Sequence, residues 1–236
     1  MAISLKVEFK CDATDEQRRA VQSGIWWGIN GARKFFPIKE LRVFVNVRPS
    51  DLDWKAGGVS LDPRTIIVVI NSAEFFKSKN RSVRLTSACI VLHEIHHCVR
   101  SQRQPLKDTL GQAIVSEGAA NRFVKQVVSA AWPSSASARE LRQFIAIARS
   151  ELRRPFNYDD WFGFATRGFY PDNIGYDLSD ALVSSYLRSR NLLASDIVHY
   201  PADKILKPWL AREFDIFESY RPEPKRNRPK GRVSKP

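Results

Sequence analysis

The chain has 236 residues, of which 43% are hydrophobic and 27% are charged, and its formal net charge is +13. These values are ordinary for a soluble globular protein, and the length is sufficient for a substantial core. No apolar run approaches the length of a membrane span, and the N-terminal residues lack the basic and apolar segments of a secretory signal. The expected location is therefore the cytoplasm.

The first seventy residues alternate between strand and helix patterns. Alternating or continuous apolar residues predict three strands, over residues 3–9, 41–47 and 65–70. A helix is predicted over 14–36, because Thr14 and Gln17 form a capping-box pair and Pro37 ends it. The glycine-containing stretch 56–60 is expected to be a loop between the second and third strands.

Helices dominate the remainder of the chain. An aromatic-rich segment, 155–176, has no clear period, and the predicted helices cover residues 83–100, 109–131, 137–154 and 178–190. Strands followed by helices favour the α+β class over a doubly wound sheet. We expect one domain over 1–220, with an upper part over 1–131 and a helical lower part over 132–220.

The last sixteen residues, 221–236, carry seven Lys or Arg and one Glu, with four prolines and a single aliphatic side chain. Such a segment cannot bury enough apolar surface to offset the entropy of ordering, so a disordered tail is predicted. Its charge fits either a weak anionic partner or a solubilising role. We favour the second, since the tail has no aromatic residue to stack on bases.

Three cysteines, Cys11, Cys89 and Cys98, are spread along the chain. Such a small, odd-numbered set is not typical of a disulfide framework, which needs paired cysteines and an oxidising compartment. We expect reduced thiols that are mostly buried.

Residues 92–98 read LHEIHHC and contain three of the four histidines of the chain. His93, Glu94 and His97 occupy the fixed places of H-E-x-x-H. On a helix, positions i and i+4 lie on one face about one turn apart, where two imidazoles can hold one Zn²⁺. Glu94 lies on the flank of that face, where it can take a proton from a water molecule during hydrolysis.

The motif is short enough to arise by chance, so the residues around it decide between coincidence and a site. The surrounding ACIVLHEIHHCV is apolar at most positions, and this helix is therefore predicted to be buried. Buried imidazoles and a buried carboxylate are costly unless they are paired or bind a metal. His96 is expected to support the ligands or pack beside them, and Cys98 to be a buried thiol.

A zinc site of this kind needs a third protein ligand. Glu117 follows His97 by twenty residues, in the phrase VSEGAANRF of the next predicted helix. Two antiparallel helices joined by a short loop bring it over the histidine pair, and Gly118 beside it allows close helix approach. Asn121 lies one turn later, where it is expected to hydrogen-bond a ligand histidine. An ordinary surface carboxylate is the alternative for Glu117, but its neighbours are apolar.

HExxH followed by a glutamate on the next helix resembles the gluzincin pattern of zinc metallopeptidases. More narrowly, HEIHHCVR followed by SEGAA resembles a bacterial family of zinc-dependent proteases of unknown function, whose members carry HEYHH-like and EGLA-like motifs. The later stretch NIGYDLSDALVSSYL, residues 173–187, is similar to a Gly-Tyr-rich helix start of that family. The resemblance covers about residues 40–190.

The resemblance implies a minimal zincin-like fold, in which a small N-terminal β-sheet packs on an active-site helix pair and a mainly helical half follows. It implies one zinc ion held by His93, His97 and Glu117, with Glu94 as the general base. It also matches Tyr176 to a tyrosine that can donate a hydrogen bond to the oxyanion of the attacked carbonyl.

The chain departs from the family pattern at Ser179 and Asp180, where relatives often repeat Gly-Tyr. No role is therefore carried over to this second pair. A core or capping role is the alternative for Tyr176, and His199 is a weaker candidate for the same hydrogen bond.

A peptide or protein substrate is expected to bind as an extra strand on an exposed sheet edge. Gly57 and Gly58 would let the peptide backbone approach closely, although the same stretch also fits a flexible hairpin loop. Aromatic residues of 155–176 are expected mostly in the core, with a minority lining an apolar pocket.

Two other functions fit the sequence. The motif and the basic tail also suggest a DNA-associated protease of the SprT-like kind, although such relatives usually complete the site with a histidine and none lies near Glu117. A catalytically silent, zinc-stabilised binding or regulatory module is the non-enzymatic alternative. A plain nucleic-acid-binding protein is disfavoured, since the basic residues outside the tail are dispersed.

Overall fold

The N-terminal part of the chain forms a small mixed β-sheet with one long helix. The computed structural model describes residues 2–49, 56–104, 108–129, 136–163, 170–171 and 173–217. In this part of the chain, the first elements are β1 (Ala2–Phe9), α1 (Asp15–Ala32), β2 (Glu40–Arg48), β3 (Ala56–Asp62) and β4 (Thr65–Asn71). The short helix α2 (Ser72–Phe75) follows the last strand.

The rest of the described chain is helical. It comprises α3 (Asn80–Ser101), α4 (Leu110–Val128), α5 (Ala138–Glu151), α6 (Tyr158–Phe162), α7 (Ile174–Arg190), a 3-10 helix (Ala194–Ile197) and α8 (Ala202–Leu210). A small sheet followed by helices confirms the predicted α+β class. The predicted tail, 221–236, lies outside the described residues, and the limits of the domain stay a prediction.

The sheet has the strand order β1-β2-β4-β3. β1, β2 and β4 run parallel, whereas β3 pairs with β4 in the antiparallel direction, so β3 forms one edge. The prediction of a loop at 56–60 was wrong, because Pro63 and Arg64 make a tight turn that folds this stretch back along β4. Pairing with β4 overrides the low strand propensity of Gly57 and Gly58.

Most predicted helices and strands lie within a few residues of the observed ones. The largest differences are at the end of α1, which is Ala32 instead of residue 36, and at the start of α7, which is Ile174 instead of residue 178 and follows Asn173 with a left-handed φ of 62°. Four short elements, α2, α6, the 3-10 helix and α8, were not predicted. They have four, five, four and nine residues, too few turns to produce a clear hydrophobic period.

The central helix of the fold is α3. It contacts α1, α4 and the two strands β3 and β4. Every residue from Ser87 to Arg100 is buried, so the helix is enclosed on all faces along this stretch. A helix in such a place is normally apolar all round, and charged residues are rarely fully buried without a partner. The polar side chains of α3 are therefore the first candidates for function.

A tight crossing joins α4 to α7 at Gly118. A Cβ atom at this position would lie 2.2 Å from the backbone oxygen of Ser179 and 2.7 Å from Cγ2 of Val183. The main-chain oxygen cannot turn away as a flexible side chain would. Glycine is therefore required at this crossing. The sequence analysis expected Gly118 to allow close approach between α3 and α4, but the structure places it against α7.

We expect Gly118→Ala to lower the free energy of unfolding by a net of about 1–3 kcal/mol, because the methyl group overpacks the crossing. The higher helix propensity of alanine offsets only about 1 kcal/mol of the steric cost. Urea denaturation measures the difference. Gly57→Ala is the matched control, since no atom lies within 4 Å of a Cβ atom there. Equal stability of Gly118→Ala and the unmodified protein would contradict the tight crossing.

Candidate metal centre

Three buried side chains from α3 and α4 meet at one point. His93 and His97 project from one face of α3, and Glu117 projects toward them from α4. Their exposed fractions are 9%, 6% and 1%. The Nε2 atoms of the two histidines are 2.9 Å apart. The Oε2 atom of Glu117 lies 3.0 Å from Nε2 of His93 and 3.4 Å from Nε2 of His97.

This set of donor atoms fits a single zinc ion. Two imidazole nitrogens and one carboxylate oxygen lie within 4.8 Å of one another. Tetrahedral zinc with bonds of about 2.0–2.1 Å separates its ligand atoms by roughly 3.3 Å, close to the separations found here. Two histidines and one glutamate are also the protein ligands of known catalytic zinc sites, which leave a fourth position open.

Ser116 contacts the second ring nitrogen of His97. Its Oγ atom lies 3.1 Å from Nδ1 of His97, and both side chains are buried. When Nε2 binds a metal, Nδ1 carries a proton and donates it to an acceptor, which orients the ring. Ser116 was not predicted from the sequence. Its position immediately before the expected ligand Glu117 was the only available signal.

Asn121 is buried on α4, one turn beyond Glu117, as expected. Its Oδ1 atom has no hydrogen-bond partner within the described ranges. The expected hydrogen bond from a ligand histidine to Asn121 therefore stays a prediction.

Aromatic side chains surround His96. The residue is fully buried, and its ring centroid lies 6.2 Å from that of Phe36 and 5.6 Å from that of Phe123. Neither ring nitrogen has a hydrogen-bond partner among the described residues. Burial is the main cause that lowers the pKa of His96 well below its ordinary value, so the ring is neutral. This geometry favours packing over direct support of a ligand.

Glu94 lies beside the ligands but outside the three-residue cluster. It is 5% exposed and lines the same cavity as His93, His97 and Glu117. A Cβ atom at Gly58 would lie 2.6 Å from Cγ and 2.9 Å from Oε1 of Glu94. The absence of a side chain at Gly58 thus makes room for the carboxylate, a role that was not predicted from the sequence.

An open cavity of about 1270 Å³ adjoins the ligand cluster. One wall is the stretch of β3 from Gly58 to Asp62, and residues of α3 and α8 form other parts of the wall. Gly57 leaves the space beside β3 clear, since a Cβ atom there has no neighbour within 4 Å. His199 is not part of the wall formed by the described residues, so the geometry does not support it as a hydrogen-bond donor in the cavity.

Two tyrosine hydroxyls face each other in this cavity. Tyr176 lies in the first turn of α7 and Tyr158 begins α6, and their hydroxyl oxygens are 2.7 Å apart. Burial raises the pKa of both phenols, and the negative charge of Glu117 adds to the effect. Tyr158 is 41% exposed as a whole, but its hydroxyl lies against Tyr176. Both phenols are therefore protonated at neutral pH.

Tyr158 was not predicted from the sequence as a site residue. It lies in the segment 155–176, where the spacing of aromatic residues indicates no single face of a helix or strand. Only the fold brings it to Tyr176, eighteen residues later in the chain.

The cysteines of the chain are free, as expected. Cys89 and Cys98 are buried, and Cys11 is partly buried. The Sγ atom of Cys98 donates to the backbone oxygen of Asp62 at 3.3 Å. Burial raises the pKa of Cys98 to about 12, so the group is a thiol at neutral pH, and its sulfur is not part of the cluster formed by His93, His97 and Glu117.

The protein has an α+β fold with a buried His–His–Glu cluster between two helices, and this cluster is compatible with a site for one metal ion. A family model described as "Predicted Zn-dependent protease (DUF2268)" matches residues 39–207. The chain therefore belongs to this family. It matches no curated protein and no solved structure. Among the described ranges, no helix combines the length and apolar character needed to cross a membrane.

We expect the purified protein to bind about one zinc ion per chain, since three ligands converge in the folded structure. His97→Ala and Glu117→Ala each remove one ligand and should lose most of the zinc. Metal analysis after zinc loading and dialysis measures the content. His199→Ala is the matched control, because this histidine lies outside the described cavity wall. Full zinc content in both ligand variants would show that other residues bind the ion.

Proposed function

We propose that this protein hydrolyses peptide bonds as a zinc-dependent peptidase. The proposal is carried by the buried convergence of His93, His97 and Glu117, with Glu94 beside them at an open cavity. The family description supports protease activity at the same coarse level. The gluzincin-type ligand set and the roles of individual residues belong to our proposal.

Glu94 serves as the general base. A bound zinc ion supplies Lewis acidity, which acidifies water and polarises a carbonyl group. Glu94 removes a proton from the attacking water and then delivers it to the leaving amine. Two features support this role, the place of Glu94 next to the ligand His93 and the space that Gly58 leaves for its carboxylate.

The tyrosine pair stabilises the negative charge that develops on the attacked carbonyl oxygen. Because the hydroxyls of Tyr158 and Tyr176 are 2.7 Å apart, one proton is used within the pair and the other is free to be donated. A hydroxyl that already accepts a hydrogen bond is a better donor, since neighbouring bonds polarise one another. The raised pKa values keep both protons in place at neutral pH. We therefore assign the oxyanion hydrogen bond to the pair.

The edge strand β3 binds the substrate backbone. Its residues from Gly58 to Leu61 face the cavity, and no strand of the described sheet pairs with its outer side. An extended peptide can add to such an edge through main-chain hydrogen bonds. Gly57 and Gly58 keep the approach clear, and the exposed side chains of Val59 and Leu61 offer apolar contacts.

The open cavity favours an enzyme over a silent, zinc-stabilised module. Structural zinc sites are usually closed by four protein ligands. Here three described ligands and a neighbouring carboxylate adjoin a cavity of about 1270 Å³. The SprT-like alternative rests on residues 221–236, which lie outside the described chain.

The decisive test is cleavage of an unfolded protein by the zinc-loaded chain and by Glu94→Gln. We expect Glu94→Gln to retain zinc and to lose roughly 10²–10⁴-fold in rate, because the general base is gone. Glu16→Gln removes an exposed carboxylate of α1 and serves as the matched control. Failure of the zinc-loaded protein to cleave any of a panel of unfolded proteins would overturn the proposal in favour of a binding module.

We expect Tyr158→Phe and Tyr176→Phe each to lower kcat by roughly 10²–10³-fold with little change in KM, because the lost hydrogen bond acts mainly in the transition state. The double variant should be little worse than either single variant, since the two hydroxyls act as one unit. Steady-state kinetics on all three measures the effect. Tyr170→Phe, in the described core but outside the cavity wall, is the control. Full activity of Tyr158→Phe would exclude it from the pair's function.

A further inference from the structure

The ligand face of α3 continues beyond the metal cluster to Arg100. This residue follows His93 by seven positions and His97 by three, so all three lie on the same side of the helix. Arg100 lines the same cavity and is only 6% exposed. A buried arginine at the wall of a cavity is rare without a partner of opposite charge.

The guanidinium group of Arg100 is poorly satisfied by the protein. Its Nη1 atom donates to the backbone oxygen of Val198 at 3.1 Å, which uses one of the five N–H donors of an arginine. No carboxylate within the described chain pairs with it. Burial lowers the pKa of Arg100 to about 10, so the group is still charged at neutral pH. A buried charge of this kind is costly until an anion reaches it.

Two acidic residues of the cavity wall, Asp203 and Asp62, already have other partners. Asp203 pairs with Lys207 at 3.4 Å, and the carboxylate of Asp62 accepts from the backbone nitrogen of Arg64 at 2.7 Å. Arg153 adds a second positive charge at the exposed rim of the cavity. The cavity wall therefore carries positive charge, and the guanidinium group of Arg100 has hydrogen-bond donors beyond the one that Val198 uses.

The direction of β3 determines which part of a bound peptide lies near Arg100. Gly58 lies against Glu94, and the backbone oxygen of Asp62 meets Cys98, so β3 and α3 run in the same direction along the cavity. Arg100 lies just beyond Cys98 on the helix. A peptide paired antiparallel to β3 runs the opposite way and places the residues on the N-terminal side of the scissile bond toward Arg100.

We propose that Arg100 binds a carboxylate of the peptide substrate and thereby selects acidic side chains about two residues before the scissile bond. Arg100 lies about one helical turn, roughly 5.4 Å, beyond His97, and an extended peptide at about 3.3 Å per residue covers that distance in about two residues. This inference rests on the proposed peptidase function. The guanidinium fork matches a carboxylate with two parallel hydrogen bonds. A C-terminal carboxylate has the same chemistry and would reach Arg100 only if the peptide bound in the parallel direction.

A peptide-binding experiment without turnover tests the proposal. The zinc-loaded Glu94→Gln chain is immobilised and offered three pools of random decapeptides. The first pool carries one Asp per peptide and an amidated C-terminus, the second has Asn in its place, and the third is the Asn pool with a free C-terminal acid. Mass spectrometry of the retained peptides gives their sequences and the position of the acidic residue.

We expect the Asp pool to be retained about tenfold more than the Asn pool, as a charge-assisted hydrogen bond implies. Adding Arg100→Gln should bring that ratio to about one, whereas the matched control Arg103→Gln, outside the cavity wall, should leave it unchanged. Arg100→Lys keeps the charge without the fork and should retain part of the preference. If Arg100 only anchored Val198, its loss would weaken all pools equally, and the proposal would fall.

The three pools separate the possible outcomes. If the Glu94→Gln protein with Arg100 intact retains all three pools equally, the proposal is overturned, whether or not the Arg100→Gln variant folds. Preference for the third pool alone assigns the C-terminal carboxylate and overturns selection of an internal acidic residue. Cleavage of unfolded protein without selection of acidic residues refutes the role of Arg100 and leaves the peptidase standing. Selective binding of acidic peptides by a chain that cleaves nothing supports the role of Arg100 and refutes the peptidase function.

Discussion

The packing of α3 against α4 brings two buried imidazoles and a buried carboxylate together at the wall of the open cavity. Three ligand atoms within 4.8 Å, on side chains at most 9% exposed, would be a net cost to a protein without a cation to bind. The rest of the architecture maintains this arrangement. The sheet covers α3, α7 supports α4 from behind, and Ser116 orients one of the rings. Binding of a metal ion to these three side chains would therefore be linked to folding.

One helix carries most of the proposed chemistry because helical spacing separates the roles. His93 and His97 share a face, Glu94 is turned to the flank beside β3, and Arg100 continues the ligand face toward the far end of the cavity. The edge strand β3 runs alongside in the same direction. The two histidines, Glu94 and the proposed substrate edge are thus held by two regular elements, α3 and β3, whose backbone leaves little freedom for misplacement.

Local patterns in the sequence were sufficient to predict part of this side-chain cluster. H-E-x-x-H on an apolar helix predicts two ligands and a base, and the next helix supplies one acidic residue in apolar surroundings, Glu117. Local patterns do not predict contacts between segments that are distant in the sequence. In the sequence alone, the glycines of β3 suggest a loop, because their strand conformation depends on pairing with β4. The contact of Gly58 with Glu94 likewise exists only in the folded chain. Tyr158, in an aperiodic segment, lacked even a local signal.

The crossing at Gly118 has a consequence for motion. Glu117 is its neighbour on α4, and Ser179, on the other side of the contact, lies one turn after Tyr176 on α7. Backbone meets backbone there, with no side chain between to absorb a displacement. The third ligand and the proposed oxyanion donor are thereby mounted on one stiff frame, and a shift of α7 along its axis displaces both in the same sense. Substitutions on the far side of α7 would therefore alter the geometry of the proposed metal site through rigid-body transmission, without touching any residue of the site.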